Sequence, residues 1–226
     1  MVKSATRVCR ILTLIGHEKG GLRHAGIARA LNIPTSSLSG LLASHLGQQF
    51  LLLDSETQKY LLGPQILTLA GSYLDGLDLV EQSRPVVQKL AEDSGESVAV
   101  SVRVENEIIV VCKEDSPQLI KRTVQIGQRS PMHATASGKV ILAHLSEHEV
   151  DQYLSSVELV ALTPKTIKGR NTLRRELEQV RASGFAHNRE ELTDQIIAMA
   201  APVFNLYGIV AAAIVISMPV IRFRPI

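Results

Sequence analysis

The chain has 226 residues, 45% apolar and 20% charged, with a formal net charge of +2. That length holds one large domain or two small ones with a core, and the mixture excludes disordered, collagenous and disulfide-scaffold chains. The longest apolar run, Ile209 to Ile216, is eight residues, far short of the ~20 that a membrane span needs.

The charge is unevenly placed. Residues 1–62 carry seven Lys/Arg (Lys3, Arg7, Arg10, Lys19, Arg23, Arg29, Lys59) against three acids, net +4; the remainder carries 17 against 19. A small basic half points to a module that meets a polyanion. The chain opens on MVKSATRVCR, which leads into a periodic helix without a cleavage signal. Cys9 and Cys112 form no metal or redox spacing. The expectation is a reduced, cytoplasmic protein with no membrane contact.

Ala5 to Glu18 reads as a helix, with Val8, Ile11, Leu12 and Ile15 at i, i+3, i+4, i+7. Lys19-Gly20-Gly21 stops it. A short helix follows from His24 to Leu31, with Ile27, Ala30 and Leu31 inward. After the turn Asn32-Ile33-Pro34, a third helix runs from Thr35 to Leu46, its first turn suited to Pro34 and its buried stripe Leu38, Leu41 and Leu42. FLLLD, SET and QKYLLG then read as a β-hairpin. This order within about 60 residues is that of a winged helix-turn-helix. Gly63-Pro64 breaks the chain, and Gln65 to Leu77 reads as a connecting helix. Its apolar face (Ile66, Ala70, Tyr73, Leu77) suits dimerisation.

From about Leu79 the pattern alternates. Helices are expected at Val80–Ser94 (Val86, Val87 and Leu90 inward), Ala136–Leu145, Ser146–Leu154 and Asn171–Ser183, the last capped by Asn171 and closed by Gly184. Strands are expected at Val98–Val104, Ile108–Cys112, Leu119–Ile126, Phe185–Asn188, Ile196–Val203 and Ile209–Ser217. Strands with helices grouped between them indicate an α+β domain on an antiparallel sheet.

Motifs for catalysis are absent. There is no GxGxxG or GxxxxGK[ST]. His144 and His148 flank a helix break in HLSEH, which is not a zinc motif, so no metal or cofactor is expected. Ser137-Gly138-Lys139 lacks a nucleophile's partner set; the preferred reading is a helix N-terminus able to hold an anion. Glu190-Glu191 reads as a solvated loop.

The third helix is the candidate DNA surface. Opposite its leucines lie Ser36, Gly40, Ala43 and Ser44, with Ser37 and Ser39 on the flanks. Hydroxyls contact phosphates or either base type, but no Arg, Lys, Asn or Gln points there for bidentate base reading. A plain polar helix surface is the alternative. Candidate phosphate contacts are Arg7, Arg10, Arg23, Arg29 and Lys59. His45 falls on the apolar side, either as a core histidine or just past the helix end.

Four segments, in order, resemble transcriptional regulators of the IclR family: RVCRILTLIG with IARALNIPTSSLSGLLA, KYLLGPQILTLAG, SPMHATASGKVILAHL, and GFAHNREELTDQIIAMAAPVFNLYGIVAAAIVIS. The resemblance implies a winged helix-turn-helix DNA-binding domain (1–62), a linker helix (63–78) and a GAF-like effector-binding domain (79–226). It implies a homodimer or homotetramer that binds double-stranded DNA and responds to a small effector, often a carboxylate or aromatic metabolite, with no catalysis. By position it places the effector pocket at Ala136, Ser137, Asn188, Ala198, Val215 and Ser217. Asn188, Ala198 and Val215 are less polar than the residues usual there, which favours a larger, partly apolar carboxylate. The family commonly has Arg at Gly40, a basic residue at Thr35 and Glu at Gly26, and MPVIRFRPI replaces its Ser-Gly-Pro ending. The alternative function is therefore a metabolite-binding oligomer with weak or lost DNA binding.

Overall fold

Apolar residues a helical turn apart build the first core. The structure, a computed structural model, describes residues 3–75 and 78–224, and the chain divides into units 1–77 and 78–226. In α1 (Lys3–His17), Ile11 and Ile15 are buried with Val8 and Leu12 half-buried beside them. A two-residue strand, β1 (Leu22–Arg23), leads into α2 (His24–Leu31), which buries Ile27. Its inward face is rotated toward Ala28, so Ala30, expected inward, is exposed on the other flank of Ile27. Asn32 ends α2 at φ 51°, a left-handed conformation that asparagine tolerates.

α3 (Thr35–Gly47) buries Leu38, Leu42 and His45, so His45 lies within the helix. Pro34 stands just before the helix rather than in its first turn. β2 (Leu51–Leu53) and β3 (Lys59–Leu62) pair antiparallel, and β3 also pairs with β1. Asp54 forms the turn by accepting the Glu56 and Thr57 N–H groups, each at 2.9 Å, and those bonds hold its carboxyl below the usual range. Gly63 then passes so close to Gln49 that a Cβ would lie 2.1 Å from its carbonyl oxygen. Three helices and a wing make this unit a winged helix-turn-helix. α4 (Pro64–Asp75) follows, with Ile66 half-buried and Leu67, Leu69 and Ala70 exposed. Leu77 and the side chain of Tyr73, expected on its apolar face, lie outside the described residues.

The second unit opens with α5 (Asp78–Ser94), which buries Val80, Ser83, Val87 and Ala91. Val86, expected inward, is 55% exposed because it lies 100° off that stripe. Six strands form one antiparallel sheet: β4 (Ser97–Val104), β5 (Glu107–Glu114), β6 (Arg129–Pro131), β7 (Ala186–Arg189), β8 (Ile196–Phe204) and β9 (Val210–Pro219), in the order β6-β5-β4-β9-β8-β7. Residues 97–101 of β4 are all buried, so both faces of the strand are covered. Leu119–Ile126, expected as a strand, is not one. β6 takes the edge of β5, and the Gln128 carbonyl accepts the Val110 N–H.

A 3-10 turn (Met132–Ala134) feeds α6 (Ala136–Ala143), which packs on β8 and β9. Gly138 permits this entry: a Cβ there would lie 2.2 Å from Met132 Cα. α7 (Glu147–Ser156) starts on a capping box between Ser146 and Glu149. α8 (Arg170–Ser183) begins one residue before Asn171, with Gly169 at the cap position, so Asn171 lies inside the helix and does not cap it; Gly184 closes it at φ 78°. α6, α7 and α8 share one core with Ala186, Ala200 and Ala213 of the sheet. Among the described residues no helix is long and apolar enough to cross a membrane.

Candidate functional site

Strand register assembles a row of side chains on one face of the second sheet. Ser97 stands opposite Ser217, Ser217 opposite Ala198, and Ala198 opposite Asn188. In the next row Ala99 faces Val215. Side chains two apart on a strand share a face, so these residues form a floor. The start of α6 (Thr135, Ala136, Ser137) and residues Arg122, Val124, Leu192 and Thr193 wall it. The cavity encloses about 680 Å³, its open mouth included. All six residues placed here from the sequence, Ala136, Ser137, Asn188, Ala198, Val215 and Ser217, line it.

The polar groups in the cavity differ in how committed they are. The Thr135 hydroxyl caps α6 by accepting the Gly138 N–H at 3.0 Å, and it donates to the Pro131 carbonyl at 3.1 Å. Ser97 accepts the Ser116 N–H at 3.1 Å. Asn188 is used twice: its amide donates to the Ala134 carbonyl, and its oxygen accepts the Glu191 N–H at 3.1 Å. It therefore ties β7 to the turn before α6. The hydroxyls of Ser101, Ser137 and Ser217 have no partner among the described residues and are open to a ligand.

A buried charge pair stands behind this wall. Lys139 of α6 is fully buried, and its ammonium lies 2.7 Å from Glu191 Oε1 and 3.1 Å from Glu176 Oε1. Glu191, expected in a solvated loop, is buried because that ammonium draws it inward; Thr163 and Thr166 hold its carbonyl. Lys139 is thus spent within the protein, and the Ser137 hydroxyl has no hydrogen-bonded base among the described residues.

Sequence reasoning missed Arg122. It lies within Leu119–Ile126, the segment expected as a strand, and is partly buried against the cavity. Burial lowers its pKa from the usual guanidinium value. After it the segment is fixed by the Gly127 N–H, which donates to the Val110 carbonyl at 2.8 Å, and before it by two further bonds. The Ser116 hydroxyl donates to the Gly95 carbonyl at 2.7 Å, and Arg222 donates to the Ile120 carbonyl at 2.8 Å. Arg222 also forks onto Glu96 at 2.5 and 2.6 Å, so the final turn of the chain braces one cavity wall.

The first unit presents a different surface. Thr35, Ser36, Ser37, Ser39 and Gly40 of α3 are all exposed. No side chain caps the start of α3, and the hydroxyls of Thr35, Ser36 and Ser37 have no partner among the described residues. Free N–H groups at a helix start favour phosphate. Ser39 is occupied: it donates to the Thr35 carbonyl at 3.0 Å and lies 3.1 Å from His24 Nε2. Arg10, Arg23 and Arg29 are exposed, and Arg7 and Lys59 half-buried. Arg23 and Lys59 stand opposite each other across β1 and β3, and Arg23 Nε donates to the Thr57 carbonyl at 3.0 Å. Like charges directly opposite destabilise a strand pair unless an anion joins them.

The sequence model of the family described as "Bacterial transcriptional regulator IclR C-terminal" matches residues 71–225. The chain belongs to the IclR family of transcriptional regulators. It is 30% identical over 225 residues to the HTH-type transcriptional regulator KdgR of Escherichia coli K12, covering 98% of this chain and 84% of that one. The crystal structure of Thermotoga maritima IclR superposes with a TM-score of 0.79 at 26% identity, over 99% of this chain and 90% of that one. An IclR homolog from Microbacterium hydrocarbonoxydans, complexed with 4-hydroxybenzoate, has the same fold: TM-score 0.86, 21% identity, 98% of this chain and 91% of that one. The relatives are regulators rather than enzymes. In the cavity floor Ala198 stands between Asn188 and Ser217, and Ala99 and Val215 make up the next row.

Proposed function

We propose that this IclR-family regulator binds operator DNA through its winged helix as a homodimer or homotetramer in the cytoplasm, and that a small carboxylate or aromatic effector in the cavity shifts that binding. One observation carries the reading: a cavity lined, Arg122 apart, by neutral side chains and open serine hydroxyls lies in the same chain as a winged helix with an uncapped, hydroxyl-rich recognition helix. Such a cavity suits a partly apolar ligand with a few polar groups. The recognition helix lacks bidentate readers, so Thr35, Ser36, Ser37, Ser39 and Gly40 act by close approach and hydroxyl contacts. Arg7, Arg10, Arg23, Arg29 and Lys59 supply phosphate affinity. Exposed Leu67 and Leu69 on α4 support pairing of copies through the linker helix. For effector and DNA to be coupled, the effector must prefer one state of the assembly.

The test is retention of fragmented source-organism DNA by the full chain at two salt concentrations, followed by sequencing. Enrichment of a few palindromic sites, falling steeply with salt and altered by a cavity ligand, is the expected result. Uniform or absent retention refutes operator binding and favours the metabolite-binding oligomer, which Gly40 in place of a basic residue already motivates.

A further inference from the structure

We infer that Arg122 is the specificity-determining residue of the cavity and selects effectors bearing a single negative charge on an apolar body. The inference rests on reading the cavity as an effector site. Arg122 is the one charged side chain among the described lining residues, and it has no hydrogen bond or ion pair among the described residues. No Asp or Glu lines the cavity with it among the described residues.

A guanidinium is an expensive group to withdraw partly from water without a partner. Here burial already disfavours its charged form. It also carries a planar fork of donors that matches a carboxylate bidentately. Elsewhere in the same unit that requirement is met: Arg222 forks onto Glu96, and Arg103 lies 3.0 Å from Glu149. Arg122 differs from them in facing a cavity. Its segment is held by Ser116 and by the bond from Arg222 to Ile120, so its approach to the cavity is not set by a loose loop alone.

The start of α6 is the weaker anion site. α6 has its Gly138 N–H already capped by Thr135, and Lys139 is committed to Glu191 and Glu176. What remains there are the other N–H groups that open α6 and hydroxyls such as Ser137 and Ser217, none of which carries a formal charge. The apolar floor of Ala99, Ala198 and Val215 lies among these groups. The matching ligand is an aryl or alkyl monocarboxylate with its carboxylate on Arg122. A dianion lacks a second cation, and a neutral analogue leaves Arg122 unpaired.

Isothermal titration of the full chain with matched acids and amides tests this: 4-hydroxybenzoate against 4-hydroxybenzamide, and octanoate against octanamide. At least one acid is expected to bind about 10–100-fold tighter than its amide, in line with a charge-assisted hydrogen bond. Arg122→Gln should abolish that preference, and Arg122→Lys should restore part of it. Ser137→Ala should keep the preference. Unliganded melting temperatures show that each variant is folded. Equal binding of acid and amide to the wild type, or an acid preference that survives Arg122→Gln, overturns the assignment while leaving the effector reading intact. Failure of every acid and amide to bind the wild type refutes the effector reading for this ligand class, and this inference with it.

Discussion

Replacing Lys139 with Met tests whether the cavity wall depends on its buried ion pair. Met keeps an unbranched side chain one atom shorter and removes the charge. Lys139 is fully buried, and Glu191, at 2.7 Å, has its side chain only 8% exposed. Glu191 Oε2 already has no partner among the described residues. Removing one member of such a pair strands the other, at about 3–5 kcal/mol. At about 2–4 °C per kcal/mol for a unit of this size, Lys139→Met should lower its melting temperature by roughly 6–20 °C. Glu176 is 30% exposed and stays solvated, so Glu176→Gln should cost only about 0–1 kcal/mol. The decisive measurement is a double-mutant cycle by urea unfolding of the full chain. Lys139→Met with Glu191→Gln should lose less than the sum of the single losses, by about 1–3 kcal/mol. A Lys139→Met variant within about 1 kcal/mol of wild type, or strict additivity, refutes a paired buried charge.

Further predictions concern two glycines and one histidine. Gly138→Ala forces a Cβ to within 2.2 Å of Met132 Cα and 2.3 Å of its carbonyl oxygen; it should destabilise by about 1–3 kcal/mol or more, and an unchanged melting curve contradicts that packing. At Gly40 nothing described lies within 4 Å of where a Cβ would stand, so Gly40→Ala should stabilise α3 by up to ~1 kcal/mol and leave the salt slope of DNA binding unchanged, since it adds no charge. Gly40→Arg should instead add a phosphate contact, steepening the log K against log salt slope by about 0.9; equal slopes for the two variants would place α3 away from DNA. Burial lowers the pKa of His45 from 6.5, more than the Val8 backbone raises it. The fold thus keeps the ring neutral while the unfolded chain takes up a proton. That contribution is present above pH 6.5 and is lost as pH falls through the lowered folded value. Relative to His45→Leu, wild type should therefore lose stability as pH falls below 6.5, and a pH-independent difference removes the argument.

Periodicity and register explain what the sequence made legible. The stripe Val8, Ile11, Leu12 and Ile15 can face only one way on a helix, and the core packs on that side. The cavity floor joins residues more than a hundred positions apart, Ser97 and Ser217. It was legible through family resemblance, since no local pattern says which strands become neighbours. Ala30 and Val86 failed for a smaller reason. Each adjoins a buried apolar residue, and an apolar side chain roughly 60–100° off the stripe looks the same in sequence.

Arg122 and Glu191 were hidden by a different limit. The run LIKRTVQI has the alternating apolar content of a strand, but a strand needs an unpaired edge, and β6 already occupies that of β5. The segment instead crosses the cavity, held by Ser116 and Arg222, and its cation meets space rather than a cross-strand neighbour. Glu191 looked solvated because charged pairs in loops usually are. Its burial follows from Lys139, 52 residues away in sequence and fully enclosed. An ammonium with no route to water compels some carboxylate to come to it, and the chain's path through Asn188 decides which. Both residues owe their roles to what the fold places opposite them, and that information resides in tertiary pairing rather than in any window of sequence.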